Sequence, residues 1–194
     1  MSKSVIIPTL IEKQEPHESV MIFVDIVIDF PQKELNEIEM RWGVERKRLP
    51  DVIEHSGWKW DRKIGHKGYR LVAIMNGKEC EGLLAAKKLL WPGIKDGLPR
   101  LYIAYIETAP WNNEKHPEGQ THRGVGTNLM IGAIQMSLQT EARGGICLHS
   151  LDQSRRIYRK WGMSSFGRDA KFEDMTYFEF SAEEAVEYLN GRTT

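Results

Sequence analysis

The chain has 194 residues, of which 41% are apolar and 28% charged, so it can bury one substantial core and is short for two full domains. Basic and acidic side chains number 27 each, and this balance does not indicate a polyanionic partner such as nucleic acid. The longest apolar run, residues 20–30, is interrupted by Asp25 and Asp29, so we predict no membrane span. We therefore expect a soluble, cytoplasmic protein with one domain over residues 1–194.

Side chains that commonly bind metals do not cluster in the sequence. Cys80 and Cys147 are far apart, and neither belongs to a C-x-x-C motif or has a histidine at ligand spacing. The six histidines are scattered in the same way. We predict neither a disulfide nor a metal cofactor.

The first fifty residues contain three predicted elements. Residues Ser4–Ile11 read as a strand, and Pro8 suits a strand at the edge of a sheet. Between His17 and Phe30 the apolar residues are too dense to separate helix from strand by period, and we favour a helix. Pro31 ends that segment, and apolar residues at helical spacing predict a second helix that Gly43 closes.

Three large aromatic side chains, Trp58, Trp60 and Tyr69, flank a polar loop. Aromatic residues in such positions either line a substrate cleft or pack against the sheet. Packing is the more common use, and the sequence leaves both alternatives open.

The middle of the chain predicts three strands and a surface loop. Residues Tyr69–Met75 and Glu81–Leu90 are apolar runs joined through Asn-Gly at residues 76–77, which is the strongest short signal for an antiparallel hairpin. Residues Leu101–Ala109 form a central strand that a proline stops. The polar residues Trp111–Gln120 then predict a surface loop.

A glycine loop, T-H-R-G-V-G-T-N-L, runs directly into a helix that we predict to end near Gln139. Gly124 and Gly126 lack a Cβ, so the loop can turn tightly and point successive backbone N–H groups at one position. Unpaired amides and the dipole of the helix start favour a phosphate or diphosphate there. The residues assigned to this anion site are Thr121, His122, Arg123, Gly124, Val125, Gly126, Thr127 and Asn128.

The sequence of this glycine loop does not match the best-known phosphate-binding motifs. No Lys-Ser or Lys-Thr pair follows the glycines, so the P-loop pattern fails. Leu129 replaces the third glycine of the dinucleotide fingerprint.

After the helix, Gly145–Ser150 reads as a short buried strand. Because a helix separates it from the preceding strand, the two strands should run parallel as a βαβ unit. Asp152 or Ser154 can cap the next helix, which ends at Gly162.

The last thirty residues predict one strand and one helix. The strand covers Met175–Phe180, and Ser181 with Glu184 forms a capping box at the start of the terminal helix.

From residue 101 to residue 163, the order of strand, glycine loop, helix, parallel strand and S-R-R-I-Y-R-K-W-G-M resembles the GNAT superfamily of N-acetyltransferases. The glycine pair, Ser154 and Tyr158 fall on residues of the family motifs. Thr121 stands where the family usually has Arg or Gln, and Leu151 stands where it has Asn. The resemblance implies a mixed α/β fold with a mostly antiparallel central sheet, one parallel pair splayed around the cofactor, and helices on both faces.

The resemblance also implies acetyl-CoA as co-substrate and a primary amine as acceptor. The pantetheine arm would pair with the backbone of Ile106, Glu107 and Thr108 as an added strand. A backbone N–H there would polarise the thioester carbonyl.

Three side chains are catalytic candidates under this resemblance. Glu107 is the first candidate for the general base and His149 the second, although each could instead be a cross-strand partner or a core residue. The motif places Tyr158 to donate to the leaving thiolate, and packing on the sheet is its alternative role.

Two other functions stay open at this stage. One is a GNAT-like domain that binds CoA, or acts as a scaffold, without turnover. The other is a toxin-like acetyltransferase acting on aminoacyl-tRNA, which would need a basic face. The residues that could supply that face are Lys87, Lys88, Arg155, Arg156, Arg159 and Lys160. The sequence does not decide whether the chain is a monomer or a homodimer.

Overall fold

The structure is a computed structural model that describes residues 4–15, 18–50, 59–64 and 68–191. His17 and Trp58, which entered the predictions above, lie outside these residues. The chain forms two compact units. The first contains the described residues up to Ala85 together with Tyr105–Gly132, and the second contains Ala86–Ala104 and the described residues from Ala133 onward. A single domain over the whole chain stays a prediction.

The described residues form ten strands and five α-helices, joined by turns and short 3₁₀ segments. The strands are β1 (Val5–Gln14), β2 (Ser19–Ile28), β3 (Tyr69–Asn76), β4 (Glu79–Lys87), β5 (Trp91–Pro92), β6 (Pro99–Thr108), β7 (His122–Arg123), β8 (Ile146–Ser150), β9 (Ser164–Asp169) and β10 (Met175–Phe180). The helices are α1 (Leu35–Arg46), α2 (Trp60–Ile64), α3 (Val125–Leu138), α4 (Arg155–Lys160) and α5 (Ala182–Asn190). None of these helices has the length and apolar composition that a membrane span requires.

In the first unit the strand order is β7-β1-β2-β3-β4. Strands β1 and β2 pair antiparallel over their whole length, whereas β2 pairs with β3 only between Asp25 and Ile28. The helix favoured for residues 17–30 is therefore wrong. Valine and isoleucine supply most of the apolar side chains there, and such β-branched residues fit a strand better than a helix once β1 provides a pairing partner.

Helices α1 and α3 cover opposite faces of the sheet in the first unit. Leu71 and Ala73 of β3 belong to a buried cluster with Trp42 of α1. The intervening Val72 faces Gly132 of α3, where an added Cβ would lie 2.5 Å from its Cγ1 atom. Because side chains alternate along a strand, the two helices lie on different faces, and this confirms the prediction within the unit.

Most element predictions are confirmed, with shifted ends. The hairpin of β3 and β4 turns at Gly77, whose φ is +59°. Helix α1 runs through Gly43 to Arg46, so the predicted end at the glycine is wrong. Gly43 does not adopt the positive φ with which a glycine commonly ends a helix.

In the second unit the strand order is β6-β8-β10-β9. Strands β6 and β8 pair in parallel from Leu101–Ile146 to Ile103–Leu148, which confirms the βαβ prediction, and the other two pairs are antiparallel. The splay of the parallel pair around a cofactor stays a prediction.

The two predicted helix caps in this unit have different outcomes. The capping box of α5 is present, with both hydrogen bonds between Ser181 and Glu184. A side-chain cap on α4 is absent, because a 3₁₀ turn leads into the helix and Ser154 is already in helical conformation. The Asp152 carboxylate instead accepts from Arg168, at 3.0 Å.

Candidate active site

The glycine loop is fixed where α3 begins. Gly124 has a φ of +85°, a conformation that residues with a Cβ rarely adopt. The Asn128 side chain donates to the carbonyl oxygens of Gly124, at 3.1 Å, and Leu10, at 3.0 Å, and it accepts from Thr9 Oγ at 2.7 Å. These hydrogen bonds of Asn128 tie the loop to β1.

The amides assigned to the anion site divide into two groups. Those of Thr121 and His122 already donate to Trp111 O and Asn112 Oδ1, both at 2.9 Å. The Asn128 amide makes the first helical bond, to Gly124 O at 3.0 Å. Arg123 belongs to β7 and lies opposite Glu12 of β1 in the ladder. The four amides of residues 124–127 have no acceptor inside the helix, so they are the remaining candidates for the cradle.

Strand β6 lies beside this helix start. A Cβ added at Gly126 would lie 3.9 Å from Thr108 Cγ2, in ordinary contact. A Cβ added at Gly82 would lie 2.7 Å from Val125 Cγ1 and 3.4 Å from Glu107 O. Gly82 therefore allows α3 to approach the strands closely, and the structure brings the end of the predicted pantetheine strand together with the predicted anion site.

The Glu107 side chain belongs to a buried ionic cluster with α1 and α2. Arg46 donates to Glu107 through Nε, at 2.9 Å, and through Nη2, at 3.1 Å, and Trp60 Nε1 donates to Glu107 Oε2 at 2.5 Å. Arg46 also donates to Glu39 Oε1, at 2.5 Å. Two carboxyl groups, those of Glu39 and Glu107, thus share the guanidinium of Arg46. Burial raises the pKa of Glu107, and the hydrogen bonds and charge of Arg46 oppose that rise only in part.

The contacts of Trp60 show which of its two possible roles, lining a cleft or packing on the sheet, this residue has. Trp60 is fully buried in the core of the first unit, and its ring meets Tyr105 edge-on at 6.5 Å. It packs against the sheet, which is the alternative that the sequence analysis considered more common.

A second buried carboxylate, Glu81 of β4, supports the loop from the other side. Glu81 Oε2 accepts from Trp111 Nε1 and Asn112 Nδ2, both at 2.8 Å, and it lies 3.1 Å from His122 Nδ1. Burial alone would raise the pKa of Glu81, but these hydrogen bonds outweigh it and lower the pKa. The loop after β6 is therefore partly buried, and not the plain surface loop that its polar sequence predicted.

Sequence reasoning missed both Glu39 and Glu81. A single acidic residue inside the apolar run C-E-G-L-L-A-A was a signal for Glu81, because a carboxylate in a buried strand needs donors. Glu39 lies on the core-facing side of α1 with no comparable signal in the sequence.

In the second unit, Tyr158 lies buried on α4, beside Ser154 in the preceding turn. Its ring packs 5.6 Å from those of Trp161 and Phe178. Burial raises the pKa of the Tyr158 hydroxyl to about 12.

His149 is held on both ring nitrogens. Nδ1 lies 3.0 Å from the Tyr102 hydroxyl, and Nε2 lies 3.3 Å from Asp169 Oδ2. The imidazole also stacks on Phe172 with ring centroids 3.9 Å apart. Burial lowers the pKa of His149, against the effect of Asp169. These contacts are those of a satisfied core histidine, the alternative that the sequence analysis left open.

The described residues contain neither a disulfide nor a cluster of side chains suited to bind a metal ion. Cys80 and Cys147 are free and buried, and burial raises the pKa of the Cys147 thiol to about 12. No group of three histidine, cysteine, aspartate or glutamate side chains among the described residues is arranged to hold a metal ion.

Comparison with known proteins places the fold. No protein-family model and no curated protein matches the sequence. A solved structure assigned to the GNAT family of acetyltransferases, from Desulfovibrio desulfuricans, matches 82% of this chain and 99% of its own, with a TM-score of 0.52 and 16% identity. A second GNAT-family structure, from Chromobacterium violaceum, matches 83% of this chain and 88% of its own, with a TM-score of 0.52 and 11% identity. The chain therefore has the fold of GNAT acetyltransferases, as the sequence resemblance implied.

Proposed function

We propose that this chain is an acetyl-CoA-dependent N-acetyltransferase that acts on a primary amine of a small molecule, peptide or protein. The observation that supports this most is the start of α3, where four backbone amides without intrahelical acceptors adjoin the end of β6 within a GNAT fold. The amides of residues 124–127 would hold the diphosphate, assisted by the helix dipole. The backbone of Ile106–Thr108 would pair with the pantetheine arm.

The acceptor nitrogen attacks the thioester carbonyl carbon, the N–C bond forms, and the C–S bond breaks. A lysine-like amine of pKa about 10.4 is almost wholly protonated at pH 7, an obstacle of roughly 4 to 5 kcal/mol. Glu107 would take that proton, directly or through a water molecule. Its Oε1 accepts one hydrogen bond, from Arg46, so a lone pair remains for a proton.

Tyr158 would serve the leaving group. A phenol whose pKa is raised to about 12 keeps its proton at neutral pH, so it can donate a hydrogen bond to the departing sulfur. The pKa of a thiol is about 8.5, so the departing thiolate is basic enough to benefit from such a donor. His149, with both ring nitrogens engaged, is the weaker of the two base candidates.

The test is release of free CoA from acetyl-CoA with a panel of primary amines, in wild type and in Tyr158→Phe. Loss of the hydroxyl should lower kcat by about 10² to 10⁴ while acetyl-CoA still raises the melting temperature. If the wild type releases no CoA with any amine although acetyl-CoA stabilises it, the chain is a binding domain without turnover.

One observation favours a nucleic-acid acceptor as a second candidate. Arg156, Arg159 and Lys160 lie exposed on α4, as a surface for the tRNA backbone would require. The ammonium of Lys87 is engaged elsewhere, 4.8 Å from the Tyr102 ring centroid. Binding to tRNA that weakens steeply with salt would support this acceptor, and absence of binding at low salt would remove it.

A further inference from the structure

A cavity of about 510 Å³ lies within the first unit, beside α1. Its apolar walls come from β2 and the residues that follow it, from α1, from the end of β3 and from the loop after β6. The apolar side chains of these walls include Val27, Phe30, Ile38, Trp42, Met75 and Trp111. All six belong to the hydrophobic core of the unit or pack against it, so the cavity is an indentation of that core.

The two tryptophans form a right-angled corner of the cavity. Their ring planes lie at 89° to each other, with centroids 6.4 Å apart. Trp42 Nε1 donates to Cys80 O at 3.2 Å, and Trp111 Nε1 donates to Glu81 Oε2 at 2.8 Å. Because both indole N–H groups are bound within the protein, the tryptophans offer a ligand only their ring carbons. A flat aromatic ring suits this corner, since it can stack on one indole and meet the other edge to face.

Two further polar side chains that line the cavity are also bound within the protein. Ser4 Oγ donates to Asp29 O at 3.0 Å, and Cys80 Sγ donates to Gly82 O at 3.4 Å. An ionised group that entered the cavity would therefore lose its water without gaining a partner on the apolar walls.

Four charged side chains at the rim of the cavity remain in contact with water. They are Glu34, Glu37, Arg41 and Lys78. Glu34 is 42% and Arg41 61% exposed, and these two pair with Lys33 and Glu79. Glu37 and Lys78 are exposed as well. Because solvated charges contribute little to binding, the apolar walls and not the rim determine which ligand fits.

We infer that this cavity binds an uncharged small molecule that carries an aromatic ring. Its volume lies within the range of about 300 to 1,000 Å³ that small-molecule sites occupy, and its apolar and aromatic lining is typical of them. Among the described residues that line it, none belongs to the cradle at residues 124–127 or to Ile106–Thr108. Binding here is therefore separate from the proposed cofactor site and does not depend on acetyl transfer.

Fluorescence titration with N-phenyl-1-naphthylamine measures this binding, because the dye is uncharged and aromatic and its emission rises in apolar surroundings. The dye should bind wild type at a single saturable site. Met75→Trp puts a larger side chain into the cavity and should weaken dye binding about tenfold or more. Met40→Trp is the matched control, because Met40 is exposed on α1 and does not line the cavity. It should bind the dye as wild type does.

A second pair of variants tests the same wall with a charge. Ile38→Glu places a carboxylate on the cavity side of α1 and should also weaken dye binding about tenfold or more. Ile94→Glu, at an exposed position in the second unit, should not change it. Circular dichroism checks that each variant is folded.

Competition with indole and indole-3-acetate tests the class of ligand. The two molecules share one ring system, and only the second carries a carboxylate. Indole should displace the dye at a concentration about tenfold lower or less, because the walls give the carboxylate no partner. Absence of saturable dye binding to wild type, binding that Met75→Trp and Ile38→Glu leave unchanged, or equal displacement by the two competitors would each overturn the inference.

Discussion

At the scale of single residues, Arg46 of the first unit forms ion pairs with two buried carboxyl groups. It is the only guanidinium bound to both Glu39 and Glu107 in the described residues, and all three side chains are largely withdrawn from water. A buried pair of this kind contributes little relative to apolar residues, but removing one member leaves unpaired charge in a poorly solvated place. Arg46 therefore matters chiefly through what its absence would expose.

We expect Arg46→Met to lower the free energy of unfolding by about 3 to 5 kcal/mol, because two buried carboxylates lose their counter-ion. Urea denaturation at pH 7 measures the change. Arg46→Lys should lose less, since an ammonium keeps the charge although it lacks the bidentate fork.

Arg48→Met is the control, because Arg48 forms solvent-exposed pairs with Glu45 and Glu118 and its loss should change the stability much less. Similar losses for the Arg46 and Arg48 methionine variants would contradict the assignment of a buried cluster.

Glu81 gives a pH-dependent prediction at the same scale. The pKa of Glu81 is lower in the folded chain than that of a free glutamate, so its carboxylate stabilises the fold at every pH above the free value. This contribution should disappear as the pH falls through the folded pKa and the carboxylate takes up a proton. Glu81→Gln should therefore cost about 1 to 3 kcal/mol at pH 7, because a neutral amide replaces the charged oxygen that accepts from Trp111 and Asn112, and less in acid, where the carboxyl group is neutral too.

Unfolding of wild type and Glu81→Gln across pH 3 to 8, a range of about five units around the carboxyl pKa, measures this difference. Glu114→Gln, at an exposed loop position, should behave as wild type throughout. A Glu81→Gln deficit that stays constant into acid would show that the lost stability is not linked to the carboxylate.

At the scale of elements, α3 lies close against the sheet because Gly82 of β4 and Gly132 of α3 have no Cβ. A Cβ at Gly132 would come within 2.5 Å of Val72 Cγ1 and 2.8 Å of Ile26 Cγ2, closer than packed atoms approach. Gly→Ala inside a helix ordinarily stabilises it by about 1 kcal/mol. At Gly132 the packing cost should exceed that gain, and we expect Gly132→Ala to destabilise the protein by about 1 to 3 kcal/mol.

Gly43→Ala is the matched control in α1. The nearest atom to its added Cβ is Glu39 Oε1, at 3.7 Å, so the substitution should stabilise by up to about 1 kcal/mol. Thermal unfolding should therefore shift in opposite directions for the two variants. A stabilising Gly132→Ala would mean that α3 does not approach β2 and β3 so closely.

The elements that the sequence predicted well are those with local signals. Asn-Gly at residues 76–77 dictates a hairpin, and a Ser and a Glu three residues apart dictate the capping box of α5, because each structure needs only neighbouring residues. Strand β2 was predicted as a helix because both of its faces carry apolar residues, including the exposed Met21 and Phe23, so the usual alternation of a strand is lost.

The candidate site likewise has features that local sequence predicts and features that depend on residues far apart in the chain. The turn at Gly124 and the helix that follows it could be predicted because a glycine loop and a helix start are adjacent in sequence. The hydrogen bonds of the Thr121 and His122 amides to Trp111 and Asn112 could not be predicted. The partner of Glu107 could not be predicted either, since Arg46 is 61 residues away in the chain and meets it only through packing of α1. Long-range pairing leaves no local pattern, so the side-chain environment of Glu107 is known only from the fold.

At the scale of the whole molecule, a ligand that binds only the folded chain adds to its stability by mass action. At a hundred times its Kd, a ligand should contribute about 2.7 kcal/mol, which corresponds to roughly 5 to 10 °C in melting temperature for a chain of this size. CoA and acetyl-CoA should both produce this shift, because both carry the diphosphate. Pantetheine lacks the diphosphate and should produce much less at the same concentration.

The backbone geometry of the loop makes this prediction specific. Gly124→Ala places a Cβ on a residue with φ of +85°, which should distort the cradle and remove most of the CoA-induced shift. Gly97→Ala is the matched control, because Gly97 has a similar φ of +73° and open space around its Cβ position, in a loop of the second unit. Both variants should melt below wild type, but only Gly97→Ala should regain the full increment with CoA. Equal increments in the two variants, or an equal shift with pantetheine, would mean that the amides at the start of α3 do not bind the diphosphate.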